Sequence, residues 1–327
     1  MTARVWPPVT VIVPVYNGAA HLDKLLASLK DQTYPWERLR LVVVDDDSKD
    51  DTREIAARYG AKIARNGHHH IERGKAIGLA VAESEFLCFL DADNYLVDPG
   101  WLARSIALLE EDPELVGAQS VRFHYRREDP PANRYCSLMG VNDPLAYYLK
   151  RRDRLTGWEK TWRLPGRVED HGDHWIGAFT PEDMPTLGSQ GFVTRRSLLK
   201  KVNHDPYLFH LEANLELIRQ GHRKYVLLKS PVGHDHVDTA RGFIRKCRRN
   251  IQLFYRYAGL RTYRYETPTW KLAWIAITMT TVLRPLFTAV RGYLTRPDPA
   301  WFLHVYFSTV VPLIYAWETV KYRTTKK

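Results

Sequence analysis

Apolar and polar positions along this chain fall into short blocks that predict strands alternating with helices. Residues 9–15 (Val-Thr-Val-Ile-Val-Pro-Val) form a nearly unbroken apolar run, the pattern of a strand buried on both faces. Tyr16-Asn17-Gly18 reads as a turn, after which Leu22, Leu25, Leu26 and Leu29 recur at helical spacing. Residues 39–44 predict a second strand, ending in Asp45-Asp46-Asp47-Ser48. Asp50 or Asp51 suits the cap of a helix from about Thr52 that carries Ile55 and Tyr59. A short strand over 61–64, a helix over 74–82 and an apolar strand over 86–90 follow. Asp98-Pro99 opens a helix over 101–110, with Pro at the first helical position, and 116–125 reads as another strand. This alternation implies α/β architecture with a mainly parallel sheet and right-handed crossovers.

The strand ends carry the candidate chemistry. The 86–90 run stops abruptly at Asp91-Ala92-Asp93. A buried strand does not end in two carboxylates without a cation to meet them, unless they are a solvated turn. The i, i+2 spacing puts both on one side of an extended backbone, and two oxygen donors there suit a hard divalent cation that in turn holds a diphosphate. Ligands of such sheets bind beyond the carboxyl ends of the strands. Three such ends carry Tyr16-Asn17, Asp45-Asp46-Asp47 and Asp91/Asp93, and three polar clusters together favour a binding site over a solvated turn.

Residues 126–186 read as irregular, aromatic and rich in Pro and Gly. They hold Trp158, Trp162, Trp175 and the run Glu169-Asp170-His171-Gly172-Asp173-His174, taken as a flexible substrate-covering loop in preference to a metal site at His171 and His174. His68-His69-His70 reads as a solvated loop. Residues 188–194 predict a turn and a strand, and Arg195-Arg196-Ser197 opens a short helix. Leu211, Leu215 and Ile218 define a further helix that Gly221 closes, with Glu212 beside its apolar stripe in a first turn where the helix dipole favours a carboxylate. A strand over 225–228 leads to Pro231-Val232-Gly233-His234-Asp235-His236.

Charge narrows the partners. The 327 residues carry a net charge of +11, which calls for an acidic partner: phosphorylated substrate, anionic lipid or nucleic acid. Residues 241–264 hold eight basic residues (Arg241, Arg245, Lys246, Arg248, Arg249, Arg256, Arg261, Arg264), no acidic ones, and many aromatics. That is an interface for anionic headgroups; no nucleic-acid motif accompanies it, and nucleic acid is not expected as a partner. Residues 272–283 are uncharged for only twelve positions, whereas 299–317 run nineteen positions without Asp, Glu, Lys or Arg, interrupted by Pro312. Basic residues flank both stretches, including Lys321, Arg323, Lys326 and Lys327, so the positive-inside rule opposes a single crossing. Two interfacial or re-entrant helices are expected, with a transmembrane hairpin or soluble core helices as alternatives. Three scattered cysteines (Cys88, Cys136, Cys247) and an N-terminus without signal-peptide character fit a reducing cytoplasm.

The residues resemble family 2 glycosyltransferases, whose fold is GT-A. The resemblance rests on Val11-Ile12-Val13-Pro14-Val15-Tyr16-Asn17, on Val42-Val43-Val44-Asp45-Asp46-Asp47-Ser48, and on Phe89-Leu90-Asp91-Ala92-Asp93, with Asp47 standing where the family usually has glycine. It covers roughly 9–110 strongly and 186–250 more weakly. It implies that Pro14, Tyr16 and Asn17 border the base of a nucleotide-sugar, that Asp46 contacts base or ribose, and that Asp91 lies near the ribose. Asp93 would hold Mg²⁺ or Mn²⁺ against the diphosphate, with His234 or His236 completing the metal shell. Arg73 and Lys75 either face the phosphates or are solvated helix-start residues. Glu212 matches the position of the family's catalytic base, with Leu211 replacing its usual neighbour.

The resemblance implies one inverting displacement, in which Glu212 deprotonates an acceptor hydroxyl and the cation neutralises charge on the departing nucleoside diphosphate. An already ionised lipid phosphate would need no strong base. A polyprenyl phosphate or diphosphate-linked glycan at the cytoplasmic face of the membrane is the expected acceptor. The expected organisation is a nucleotide-sugar-binding half over 1–125, an acceptor half over 126–238 and membrane-associated helices over 239–327; the oligomeric state is left open. A non-catalytic membrane scaffold and a sugar-nucleotide nucleotidyltransferase are the alternatives; the second lacks its glycine-rich, lysine-bearing loop after the first strand.

Overall fold

A computed structural model describes residues 4–152, 154–188, 190–261 and 268–325. Arg264, Lys326 and Lys327 of the basic stretches lie outside the described residues, as does Ser189 within 188–194. In chain order the elements are β1 (Val9–Val15), α1 (Ala19–Lys30), β2 (Leu39–Asp45), α2 (Thr52–Arg58), β3 (Lys62–Arg65), α3 (Ile71–Val81), β4 (Phe86–Phe89), β5 (Asn94–Leu96), α4 (Trp101–Glu111) and β6 (Leu115–Ser120). Next come α5 (Pro131–Met139), α6 (Pro144–Tyr148), β7 (Arg167–Asp170), β8 (His174–Ala178), β9 (Phe192–Arg195), α7 (Arg196–Leu199), α8 (His210–Arg219), β10 (Lys224–Leu228) and β11 (Val232–His234). The last are α9 (Ala240–Arg256), α10 (Thr269–Thr280), α11 (Leu283–Thr295) and α12 (Leu303–Thr325).

Two compact units divide the chain: residues 1–124 with 166–234, and residues 125–165 with 235–327. The first unit is built on a nine-stranded sheet of order β3-β2-β1-β4-β9-β6-β10-β8-β7. β3, β2, β1 and β4 run parallel, as the alternating pattern predicts. The sheet is mixed beyond that point, because β9 enters antiparallel between β4 and β6, and the β7–β8 hairpin closes the far edge. All seven residues of β1 and all four of β4 are buried, as runs without polar alternation require. One core contains the β1, β2 and β4 side chains of one face with Leu22, Leu25 and Leu26 of α1 and Trp101, Leu102 and Ile106 of α4.

Several sequence expectations need correction. Residues 126–186 are only partly irregular: they contain α5, α6 and the β7–β8 hairpin, so the histidine-acid run around His171 lies on a hairpin and not in a loose loop. Their helices are short and β7 is largely exposed, which leaves little periodicity to detect. α3 begins at Ile71, three residues early, because His70 accepts a hydrogen bond from the Glu72 amide and caps it. Pro99 precedes α4 without entering it, and Asp98 caps the turn through the Gly100 amide. The three-residue β5 was not foreseen.

The second unit is helical. Tyr135, Phe243, Trp301 and Phe307 form its buried centre, with Phe243 and Phe307 stacked at 4.0 Å between ring centroids. Asp298 binds Tyr125 (2.6 Å) and Arg134 (2.9 Å). The segment Pro299–Thr325 is long and apolar enough to cross a membrane by length and composition. α10 and α11 together pass the same measure but are bent by 65° at their junction. One apolar face of each points outward: Trp270, Trp274 and Ile277 on α10 and Leu283, Phe287, Val290 and Leu294 on α11 are exposed.

Helix α3 lies unusually close to β1, and Gly78 permits it: a Cβ there would stand 2.2 Å from Ile12 Cγ2. Gly78→Ala should therefore destabilise the protein by about 1–3 kcal/mol, the overpacking cost exceeding the roughly 1 kcal/mol gained in helix propensity. Denaturant melts check this, and Ile12→Ala in the same chain should make the two changes less than additive.

Candidate active site

Parallel register sets β1, β2 and β4 ending at one edge: Val15 pairs with Asp45, and Ile12 with Phe89. The loops leaving β1 and β2 are stitched together. The Asn17 amide donates to Ser48 Oγ (2.8 Å), and Asn17 Oδ1 accepts from the Lys49 amide (2.9 Å). The Gly18 amide donates to Thr52 Oγ1 and the Ala19 amide to Asp50 Oδ2, each at 3.0 Å. Asp45 is buried and paired with Arg53 at 2.6 Å. Asp46, also buried, accepts from the His68 and His69 amides through Oδ1 (3.1 and 3.0 Å), which folds the histidine loop over the end of β2. The loop is thus not simply solvated. Tyr16 is about half exposed, with the His69 ring 5.4 Å away edge-on. A hydrogen bond from Arg65 holds the Asp47 carboxyl below its ordinary range. Pro14, Tyr16, Asn17 and Asp46 thus share one edge of the sheet.

The third strand end turns back on itself. Asn94 Oδ1 accepts from the Asp91 amide (2.9 Å), and the Asn94 amide donates to the Asp91 carbonyl (2.9 Å). β5 then pairs antiparallel with β11, His234 opposite Asn94. This two-stranded register brings His234 Nε2 to 3.5 Å from Asp93 Oδ2. His234 is buried, with the Phe123 ring centred 5.1 Å away. His236 lies two residues on, in the second unit, where its amide donates to Asn133 Oδ1 at 2.9 Å. Burial raises the Asp91 carboxyl above its ordinary range, opposed by Lys75 and reinforced by Asp93. Lys75 is itself buried on α3 and pairs with Glu72 at 3.3 Å. Burial would lower its pKa, but Glu72 and Asp91 hold it above the usual lysine range, so it stays charged. Arg73 instead serves the 205–206 loop, at 3.2 Å from Asp205.

Glu212 sits in the first turn of α8, partly exposed. That helix enters beside α3, since the Leu208 amide donates to the Glu72 carbonyl (3.0 Å) and His210 Nδ1 lies 3.5 Å from Glu72 Oε1. Glu72 and His210 had not been singled out from sequence. The signal available was only His70-x-Glu72, a capping histidine two residues before an acid. His171 and His174 stack on each other at 5.2 Å on the hairpin at the sheet's far edge, strands away from Asp93, and His174 pairs with Asp173 at 2.6 Å.

The donor set at Asp93 and His234 fits a divalent cation. Two donors at right angles on a cation with bonds near 2.1 Å stand about 3 Å apart, close to the observed spacing. One carboxylate oxygen with one imidazole nitrogen suits Mn²⁺ somewhat better than Mg²⁺.

Known proteins resemble this chain in sequence and in fold. Residues 10–167 match the family model for glycosyl transferase family 2. The glycosyltransferase AglE of Haloferax volcanii is 31% identical over 142 residues, 41% of this chain and 46% of AglE. The UDP-forming cellulose synthase catalytic subunit of Pseudomonas fluorescens is 31% identical over 199 residues, 60% of this chain and 24% of that protein. The poly(ribitol-phosphate) β-N-acetylglucosaminyltransferase TarS of Staphylococcus aureus is 37% identical over 93 residues, 27% of this chain and 16% of TarS. The chain thus spans less than half the length of each of these relatives. Among solved structures, the mannosyltransferase PcManGT of Pyrobaculum calidifontis, in complex with GDP-Man and Mn²⁺, superposes with a TM-score of 0.56 at 18% identity, covering 97% of this chain and 88% of that one. At that identity the likeness establishes the GT-A fold. Residues 10–167, just under half of the chain, are what matches glycosyl transferase family 2.

Two outcomes follow from the site's construction. A Cβ at Gly233 would meet the Tyr95 ring at 2.2 Å, so Gly233→Ala should part β5 from β11 and draw His234 from Asp93. Calorimetric titration should then show Mn²⁺ affinity, measured with UDP or GDP present, falling by about tenfold or more. Glu72 supplies a pH signature. Its burial would raise its pKa, but Lys75 and His210 outweigh burial and hold it at about 2. Its stabilising contribution is therefore complete above its ordinary value of 4.5 and is lost as pH falls toward about 2. Denaturant midpoints should fall more steeply below pH 4.5 in the wild type than in Glu72→Gln.

Proposed function

We propose that this protein is a metal-dependent inverting glycosyltransferase of family 2 that moves a sugar from a nucleotide-sugar donor to a lipid-linked acceptor, a polyprenyl phosphate or diphosphate-linked glycan. The observation that carries the reading is the Asp93–His234 pair beside Asp91 and the charged Lys75, at the edge where β1, β2 and β4 end. Pro14, Tyr16, Asn17 and Asp46 border the base and ribose, with Tyr16 offering an exposed ring to the base. Asp91 lies on the ribose side. Lys75 meets the diphosphate as a fixed positive charge.

Asp93 and His234 hold the divalent cation, with His236 as a third ligand on the strength of its place two residues further along the chain. When bound, the cation supplies charge neutralisation at the diphosphate. Glu212 orients the acceptor hydroxyl and accepts its proton as the oxygen attacks the anomeric carbon from the side opposite the leaving group. With an ionised phosphate acceptor, Glu212 only positions the nucleophile.

A membrane surface is the proposed setting, on the cytoplasmic face. α9 carries Arg241, Arg245, Arg248, Arg249 and Arg256. The exposed faces of α10 and α11 centre on Trp270, Trp274, Phe287 and Leu294, with Lys271, Arg284 and Arg291 about a quarter-turn to one side. Apolar centres with basic flanks suit the headgroup boundary of an anionic leaflet. The tail of Pro299–Thr325 adds a further apolar surface.

The test is a donor screen: purified protein with UDP-, GDP- and dTDP-sugars, Mn²⁺ and a membrane lipid extract, read by mass spectrometry. A glycosylated lipid with release of nucleoside diphosphate is the expected result; pyrophosphate release or no transfer from any donor overturns it. Asp93→Asn should lower the rate by about a hundredfold or more, the scale of several kcal/mol of charge stabilisation. Deleting residues 268–327 should release the protein from sedimenting membranes, and unchanged sedimentation would remove α10 to α12 as the anchor.

A further inference from the structure

One buried ionic chain runs from the phosphate side of the site to the helix that bears Glu212. Glu72, in the first turn of α3, is 9% exposed. Its Oε2 lies 3.3 Å from Lys75 Nζ and its Oε1 3.5 Å from His210 Nδ1. Lys75 is drawn also by Asp91 beyond β4. His210 opens α8, two residues before Glu212. The segment entering α8 is laid on the same turn of α3: Leu208 donates its amide to the Glu72 carbonyl, and the Tyr207 and Phe209 rings pack at 4.8 and 6.0 Å from the capping His70.

The geometry is that of a shared carboxylate. Charge-assisted hydrogen bonds at full strength are about 2.7–2.9 Å long. Both contacts of Glu72 exceed that, so neither partner holds the carboxylate fully. A diphosphate arriving at Lys75 competes with Glu72 for its charge. Any advance of Lys75 toward phosphate leaves Glu72 to His210 alone, and a shortened Glu72–His210 contact draws the first turn of α8 down onto α3.

We propose that Glu72 is a positioning residue that joins Lys75 to His210 and thereby couples donor occupancy to the seating of the α8 turn that carries Glu212. It rests on the reading of Lys75 as a diphosphate ligand and of Glu212 as the group that meets the acceptor. In that arrangement the acceptor side is completed only after the donor is bound, which limits loss of the activated sugar to water.

Hydrogen exchange of the 207–215 segment, with and without UDP or GDP plus Mn²⁺, reads the coupling directly. Nucleotide should slow exchange there by about tenfold or more in the wild type and by no more than about twofold in Glu72→Gln and His210→Asn, with Glu72→Asp between them. Both variants should bind the same nucleotide no more weakly than the wild type, because Asp91 and the arriving diphosphate still face Lys75 and keep it charged. Equal slowing in wild type and variants overturns the proposal, as does a wild type that binds nucleotide without slowing, or a Glu72→Gln whose nucleotide affinity falls with its protection. If Glu72→Gln does not fold, His210→Asn carries the test, since His210 is partly exposed. Failure of the underlying reading has a separate signature: Lys75→Met binding nucleotide as tightly as the wild type.

Discussion

Negative charge at the end of a strand buried on both faces is the constraint on which the rest of this site depends. β4 is wholly buried, and one residue separates its end from Asp91 and three separate it from Asp93. In a weakly polar surrounding such charges are costly unless cations or hydrogen-bond donors meet them. The first unit supplies them from several directions. Lys75 comes from α3, held against β1 by a glycine-sized gap; Asn94 caps the Asp91 amide; and β11 delivers His234 to Asp93. Each provider is fixed by packing that has nothing to do with chemistry, and so the polar atoms are positioned before any ligand arrives.

The same economy explains the loops. The side chains of Asn17, Ser48, Asp50 and Thr52 accept from amides of the facing loop and bring the ends of β1 and β2 into one rim. Asp46 spends one oxygen on two amides of the histidine loop while Oδ2 faces His69 at 3.7 Å. A nucleotide bound at this rim meets a preformed surface, which reduces the ordering cost of binding. Buried Lys75 remains charged because Glu72 and Asp91 share it, and the looseness of the Glu72 contacts is what would let the site respond to a donor.

Much of the first unit was legible in the sequence because its strands are unbroken apolar runs that end in polar clusters. Residues 9–15, 39–45 and 86–89 and the leucines of α1 declare themselves by period alone. The antiparallel insertion of β9 was not legible, since strand direction leaves no mark in a four-residue run. β5 is three residues long and gains meaning only from its partner β11, 136 positions away by the Val232–Leu96 pairing. Glu72 and His210 were invisible for a related reason: an ion pair between helices far apart in sequence has no local pattern. The helices within 126–165 were not legible because at nine and five residues they are too short to show a helical period.

Anomalous diffraction at the manganese edge, from crystals grown with Mn²⁺ and UDP or GDP, tests this site most directly. The expected result is a single strong peak bonded to Asp93 and His234, with the nucleotide's diphosphate between that peak and Lys75 and its base at Tyr16. A manganese peak away from Asp93, or nucleotide density elsewhere than the shared edge of β1, β2 and β4, would contradict it.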